Sequence, residues 1–332
     1  MPRSTAQTEA DRPPSSGGGT LQTDRARSFI EEWLARSLPP VGDPPTRLHL
    51  AMREAVLLGG KRTRPLLVML VAESYGELRH PELVGRMAAA VELVHCASLV
   101  HDDLPAFDDA DTRRGRPSCH AAFGEPTAIL VGDALLTLAF ETLAGSPLAQ
   151  AVAALRMTRL LAEATGSRAG IIGGQGLELQ TNVDVLAYHA QKTSALFRAA
   201  AAGGAIASGT ASDDLREQES EIARWSRFGE LLGHALQLRD DIDDCTGTAE
   251  AIGKPVGQDA ALGRPNAVAS SSVSEVRCLL HHMVTEATAL LGAPTPHNAT
   301  LRSLIGLISG SGGHRDGRSD GAAAGVDTVV AR

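Results

Sequence analysis

Apolar positions along the chain gather into long Ala- and Leu-rich stretches instead of alternating one by one, which is the pattern of packed helices and not of half-buried strands. Glycine and proline interrupt these stretches near Gly59, Pro105, Gly124 to Pro126, Gly145 to Pro147, Gly173 and Gly253. Both residue types end helices, so the breaks partition the chain into roughly ten or more helices of bundle length. Two stretches stand out. From Val84 to Leu104 the chain is rich in Ala, Val and Leu, and His95, Ser98 and Asp102 are spaced three and four apart, which places them on one stripe lining a cavity wall. From Phe228 to Arg239, Leu231, Leu232, Ala235, Leu236 and Leu238 predict a second buried or amphipathic helix, which delivers Asp240 and Asp244 to one face.

The ends lack this pattern. Residues 1–22, with Pro13, Pro14 and Gly17 to Gly19, read as a disordered leader, and residues 309–332, rich in Gly, Ala and Ser, as a flexible tail. The span 23–308 is then one large all-α domain, in keeping with 43% hydrophobic and 3% aromatic residues. No run of 18 or more uninterrupted apolar residues occurs, so a soluble chain without a membrane span is expected. The net charge of −8 disfavours general nucleic-acid binding, and much of the acidity lies in two clusters. Cys96, Cys119, Cys245 and Cys278 show no Cys-x-x-Cys spacing, which points to reduced thiols, a cytoplasmic protein and no zinc site.

The first acidic cluster changes the picture. Asp102, Asp103, Asp108, Asp109 and Asp111 are followed at once by Arg113, Arg114 and Arg116. Hard divalent cations take oxygen ligands and the guanidinium fork matches phosphate oxygens, so the pairing implies a metal-bridged phosphorylated substrate; the alternative is a solvated acidic-then-basic loop. Because Pro105 cannot continue a hydrogen-bonded helix, Asp108 comes from the turn that follows. A second cluster, Asp240-Asp241-Ile242-Asp243-Asp244, favours the metal reading, since carboxylates this dense repel one another without a cation. Gly59-Gly60-Lys61-Arg62-Thr63-Arg64 combines close backbone approach with three cations and reads as a second anion pocket. No wider basic patch with interleaved aromatics accompanies it, which argues against nucleic acid.

With these pieces in place the chain resembles the trans-isoprenyl diphosphate synthases, the all-helical polyprenyl synthetase family. DDLPAFD from Asp102 followed by RRGRP is similar to that family's first aspartate-rich motif in its two-residue-inserted form, and DDIDD from Asp240 to its second. GGKRTRP at Gly59, VGDALL at Val131, GGQ at Gly173, KTSALF at Lys192, LQLRDD at Leu236 and GKPVGQD at Gly253 stand in the family's order. The wording is most similar to bacterial geranylgeranyl diphosphate synthases of carotenoid and bacteriochlorophyll pathways.

The resemblance implies Asp102, Asp108 and Asp240 as main Mg2+ ligands, with Asp103, Asp241 and Asp244 close by or acting through water. It implies about three Mg2+ per site, with Mn2+ as a substitute. Arg113, Lys192 and Lys254 would hold the allylic diphosphate, and Gly60, Lys61, Arg64, His95 and Arg114 the diphosphate of isopentenyl diphosphate. Thr193 and Gln237 would present oxygen dipoles to an allylic carbocation. A homodimer is implied as well. Cleavage of an allylic carbon–oxygen bond leaves a cation and a pyrophosphate, so fixed positive charge lowers the barrier and an apolar cavity keeps water from quenching the cation. The small Ala97 and Ser98, one turn before Asp102, imply a tunnel deep enough for a twenty-carbon product unless Phe140 or Phe197 sets the floor; farnesyl-making relatives typically carry an aromatic residue at the Ala97 position. Ser194, Leu236, Gln258 and Arg264 depart from the family's usual residues, which bears on rate and diphosphate contacts. A class I terpene cyclase would need an Asn-x-x-x-Ser-x-x-x-Glu motif where DDIDD stands, and a non-catalytic subunit has usually lost one acidic cluster.

Overall fold

A computed structural model describes residues 18–209, 214–246 and 265–309. Of the expected leader 1–22, residues 1–17 lie outside the described residues, whereas residues 18–22 belong to the first helix and not to a disordered segment; the tail from residue 310 and the segment 247–264 with Lys254, Gln258 and Arg264 also lie outside the described residues. The elements in order are α1 (Gly18–Ser37), α2 (Thr46–Leu57), α3 (Thr63–Glu73), α4 (Pro81–Asp102), β1 (Thr112–Arg113), β2 (Arg116–Pro117), α5 (Cys119–Phe123), α6 (Glu125–Ala144) and α7 (Ala151–Thr165). They are followed by α8 (Ile171–Glu178), α9 (Val185–His189), α10 (Ala195–Ser208), α11 (Leu215–Thr246), α12 (Ala267–Ser270), α13 (Val273–Leu290) and α14 (Ala299–Ile308). The fold class is all-α, as the periodicity predicts.

Helix α4 is the spine. Pro81 sits in its first turn and Glu82 complements the positive end of the helix dipole. Met87 to Val91 and Leu93 are fully buried, because α6, α10, α3 and α1 pack around them. The helix stops at Asp102, and the chain turns back so that the Asp108 amide donates to the Asp102 carbonyl (2.9 Å) and the Ala110 amide to the Asp103 carbonyl (3.1 Å). The Pro105 break therefore falls where the sequence places it. Helix α10, with Ala199 to Ala202 and then Gly203 and Gly204, approaches its neighbours closely: a Cβ on Gly204 would lie 2.5 Å from the Val68 carbonyl oxygen of α3. Small residues permit this crossing, and that close approach brings α10 against both α3 and α4.

Between α9 and α10 the residues Ala190–Ser194 form a π-helical turn. The β1–β2 hairpin is a local departure from the helical pattern. Thr112 pairs with Pro117 and Arg113 with Arg116, and Arg114 (φ 53°) and Gly115 (φ 73°) occupy the two left-handed positions of a tight turn.

Two helices, Pro81–Asp102 and Glu125–Ala144, are long and apolar enough to cross a membrane. Isolated charged and polar residues interrupt both, so neither contains an uninterrupted apolar run of 18 residues. The first is 78% buried in the protein and forms its core, whereas the second is 39% buried and leaves Ile129 and Leu130 exposed.

A buried charge latch ties the N-terminal helices to the spine. Arg62, 1% exposed and left-handed (φ 55°), precedes α3. Its Nε and Nη2 donate to the Glu31 carboxylate of α1 (2.8 and 3.1 Å), Nη1 donates to Glu92 Oε1 of α4 (2.9 Å), and Nη2 donates to the Val56 carbonyl of α2 (2.7 Å). Every face of the guanidinium is used. Arg62→Ala strands the buried Glu92 carboxylate and should cost about 3 to 5 kcal/mol, read from chemical denaturation; an unchanged unfolding midpoint would contradict the latch.

Candidate active site

The anion pocket begins where α2 gives way to α3. Gly59 (φ 117°) and Gly60 (φ 132°) adopt backbone that side-chain-bearing residues avoid, and their carbonyls are turned away by arginines. Gly59 O accepts from Arg114 Nη1 (2.5 Å) and Gly60 O from Arg27 Nη2 (2.9 Å). A Cβ at Gly60 would come within 3.0 to 3.1 Å of the Arg114 and Arg62 guanidinium nitrogens, so only glycine fits there without displacing them. Of the three cations in the motif, Arg62 is consumed by the latch, while Lys61 is exposed and Arg64 lies over the Phe197 ring (4.8 Å). The Arg64 Nε has no protein partner, and burial pulls its guanidinium down to about 10, against the attraction of Glu92 and Cys96.

His95, on the facing turn of α4, is held well below the ordinary histidine range by burial, reinforced by repulsion from Arg64, Arg114, Arg113 and Arg62. Four guanidiniums thus converge electrostatically on a neutral imidazole. Arg62 and Arg113 are paired with carboxylates, so the positive charge near His95 that suits a diphosphate is that of Arg64 and Arg114.

Two turns farther along α4 the charge reverses. Asp102 is raised to about 6, chiefly by burial, with Lys192 and Arg113 opposing and Asp108 and Glu178 adding to the shift. Asp103 is buried and grips Arg113, whose Nε donates to both carboxylate oxygens (2.9 and 3.0 Å) and whose Nη2 donates to Oδ1 (2.5 Å). Asp103 is therefore engaged as an arginine partner. Asp108 stands half-exposed on the turn.

Across from Asp102, the π-helical turn carries Lys192 against Glu178 of α8, which also accepts from Tyr188 Oη (2.8 Å). Thr193 Oγ1 donates to Gln237 Oε1 (3.0 Å), Gln237 Nε2 to Asp241 Oδ1 (3.1 Å), and the Ala267 amide of α12 to Asp241 Oδ2 (2.8 Å). His189 Nε2 lies 3.5 Å from the same Oδ2. This chain of contacts joins the second acidic cluster to the turn that bears Lys192, and Lys192 in turn acts on Asp102.

Within the second cluster Asp240 is exposed, whereas Asp241 and Asp244 are 1% and 7% exposed. Asp240 and Asp244, four residues apart on α11, share a side of the helix as the spacing predicts, with Asp240 exposed and Asp244 buried; the contacts of Asp241 with Gln237 and α12 hold Asp241 inward. Among the described residues no three His, Cys, Asp or Glu side chains close a metal site by themselves. The carboxylates of Asp102 and half-exposed Asp108, which repel one another, are an oxygen donor set that fits a hard cation such as Mg2+.

A cavity of about 290 Å³ opens beside Asp102. Val94, Ser98, Leu136, Ile171 and Ile172 line it, a mostly aliphatic wall. Ala97 is fully buried next to Ser98 and is not part of the lining, nor are Phe140 and Phe197, the latter lying beneath Arg64. Sequence reasoning passed over Glu178, Tyr188, His189 and Glu92; the first three flank KTSALF closely enough that a Glu and a Tyr-His pair before a lysine turn were a usable signal.

Residues 45–289 match the family model described as Polyprenyl synthetase. The chain is 42% identical over 282 residues to a geranylgeranyl diphosphate synthase of Rhodobacter capsulatus, covering 84% of this chain and 93% of that protein. It is 37% identical over 262 residues to a farnesyl diphosphate synthase of Escherichia coli, covering 76% and 85%. Its fold is similar to the crystal structure of an FPP/GFPP synthase from Zymomonas mobilis, with a TM-score of 0.74 at 29% identity, covering 89% of this chain and 99% of that one. The family model spanning residues 45–289 and the 42% identity over most of the chain, on an all-helical frame, place the chain in the polyprenyl synthetase family.

Proposed function

We propose that the chain is a Mg2+-dependent prenyltransferase that joins isopentenyl diphosphate to an allylic diphosphate and extends the product to geranylgeranyl diphosphate. The observation that carries this reading is the pairing on α4: neutral His95 amid four guanidiniums, and two turns away the buried Asp102 carboxylate beside an aliphatic cavity. One pocket suits a diphosphate held by cations alone, the other a diphosphate held with metal. Lys61, Arg64, His95 and Arg114 with the Gly60 backbone would take isopentenyl diphosphate. Asp102, Asp108 and Asp240, helped by Asp241 and Asp244, would hold Mg2+, which when bound neutralises the departing diphosphate. Arg113 and Lys192, each resting on a carboxylate, would transfer their donors to that diphosphate.

The reaction needs no nucleophilic side chain. The allylic C–O bond breaks with both electrons leaving on the diphosphate oxygen, the double bond of isopentenyl diphosphate closes the new carbon–carbon bond, and a proton leaves the adduct for the departed diphosphate. The chain's own residues orient the two substrates and exclude water. Gln237, fixed at its amide nitrogen by Asp241, holds its oxygen and the Thr193 hydroxyl together beside Lys192, where oxygen dipoles stabilise a passing cation. A cytoplasmic homodimer accompanies this reading; the open apolar face of α6 at Ile129 and Leu130 supplies a surface for a second copy.

Purified protein given labelled isopentenyl diphosphate, an allylic primer and Mg2+ should form a twenty-carbon diphosphate, and Asp102→Asn should lower turnover by about 10² to 10³-fold. A cyclised hydrocarbon made without isopentenyl diphosphate would instead indicate a terpene cyclase, and retained turnover in the variant would remove Asp102 from the mechanism. Because the Asp102 carboxyl ionises only as pH rises through about 6, Mg2+ should bind more tightly at pH 7 than at pH 5, as read by calorimetry; equal affinities would contradict the ligand assignment. Ser98 lines the cavity, so Ser98→Phe should shift the product toward fifteen carbons. Ala97→Tyr, on the buried flank of that wall, should shorten it less and destabilise the protein more; chromatography of the dephosphorylated products and thermal melts check both.

A further inference from the structure

Behind α4 lies a second cavity of about 200 Å³, between α2, α4, α5 and the β1–β2 hairpin. Ser98 and Asp102 face the aliphatic cavity described above, while Leu99 and Asp103, each one residue on and so about 100° round the helix, face this one. Its floor is apolar: Ala51, Ala55, Leu99, Val100, Ala122 and Phe123. Its mouth carries three guanidiniums, Arg113, Arg114 and Arg116, against two carboxylates, Glu54 and Asp103. Asp103 is taken up by Arg113, and Arg114 gives Nη1 to the Gly59 carbonyl, but the exposed Arg116 guanidinium has no hydrogen bond or ion pair among the described residues. The two thiols Cys96 and Cys119 also border the cavity.

An apolar pocket beneath an arginine-rich mouth fits a short hydrocarbon tail with a phosphate head. With about 200 Å³ in all, mouth included, the cavity suits a short hydrocarbon tail and not a long one. We infer that this cavity is a second binding site for a five-carbon prenyl diphosphate, with Arg114 and Arg116 on the diphosphate and the tail against Leu99 and Phe123. The inference rests on the proposed function for the identity of the anion. Its consequence is regulatory: Arg114 serves both this site and the Gly59–Gly60 pocket, so an occupant here withdraws a donor from the pocket assigned to isopentenyl diphosphate, and excess five-carbon diphosphate restrains turnover.

The test uses the full chain carrying Cys245→Ser and Cys278→Ser, which removes the two exposed thiols. Half-buried Cys119 is then followed by mass spectrometry during slow alkylation at one fixed pH, because burial and the nearby Asp103 and Glu54 carboxylates push its thiol up to about 11. Dimethylallyl thiodiphosphate, with sulfur in place of the bridging oxygen, is titrated in EDTA, where metal-dependent binding at the acidic clusters is abolished. Expected is protection of Cys119 that saturates in EDTA, a half-protection concentration raised about tenfold by Arg116→Ala, and relief of inhibition by excess substrate in the same variant with KM for isopentenyl diphosphate unchanged. Absence of protection, protection that requires Mg2+, or protection unaltered by Arg116→Ala would each overturn the site. A chain that protects Cys119 in this way yet condenses no prenyl units would leave this site standing and remove the proposed function instead.

Discussion

Charge of both signs is concentrated at one end of a buried helix, and the rest of the molecule is arranged to make that tolerable. Within eight residues α4 passes from His95, surrounded by guanidiniums, to Asp102, surrounded by carboxylates with Lys192 and Arg113 opposing. Neither environment would be stable alone in an apolar interior, because an isolated buried charge costs several kcal/mol. The protein answers in two ways. Some charges are paired permanently, as in Arg62 with Glu31 and Glu92; others, such as Arg64 and Asp102, carry displaced pKa values that record how incompletely the protein itself satisfies them.

That division separates frame from site. The latch around Arg62 joins α1, α2 and α4 at the start of α3 and anchors the chain directly after Gly59 and Gly60, whose positive φ favours glycine. The Thr193–Gln237–Asp241 chain does the same on the opposite wall, linking the π-helical turn to α11 and, through the Ala267 amide, to α12. Between these two supports lie the aliphatic cavity and the polar groups that would meet two diphosphates. An all-helical frame is well suited to this, since helix ends can deliver side chains to a common cavity while their backbones stay hydrogen-bonded.

Most of the frame was legible in the chain because it is local. Apolar stretches separated by Pro105 and Gly124 predict α4 and α6, and the Pro105 break predicts that Asp108 leaves the helix. Motif order pointed to Lys192, Thr193, Gln237 and Asp241 together, and the contacts from Thr193 through Gln237 to Asp241 join these segments. What could not be read is whatever depends on partners distant in sequence. Arg62 looks equivalent to Lys61 and Arg64 until its left-handed backbone turns it toward Glu31 and Glu92, about thirty residues away on either side. Asp240 and Asp241 differ in the sequence only by position, yet a backbone amide 26 residues later makes Asp241 the buried one.

The π-helical turn at Ala190–Ser194 carries a consequence of its own. A widened turn holds one residue more than a regular helix would over the same rise, so everything after it is rotated by about 100° relative to everything before it. Lys192 can therefore reach Glu178 on one side while Ser194, two residues on, packs against Gly233 on another. The helix works as a splice between two phases: one half is registered to the catalytic cavity, the other to the Ala- and Gly-rich seam with α3, α4 and α11.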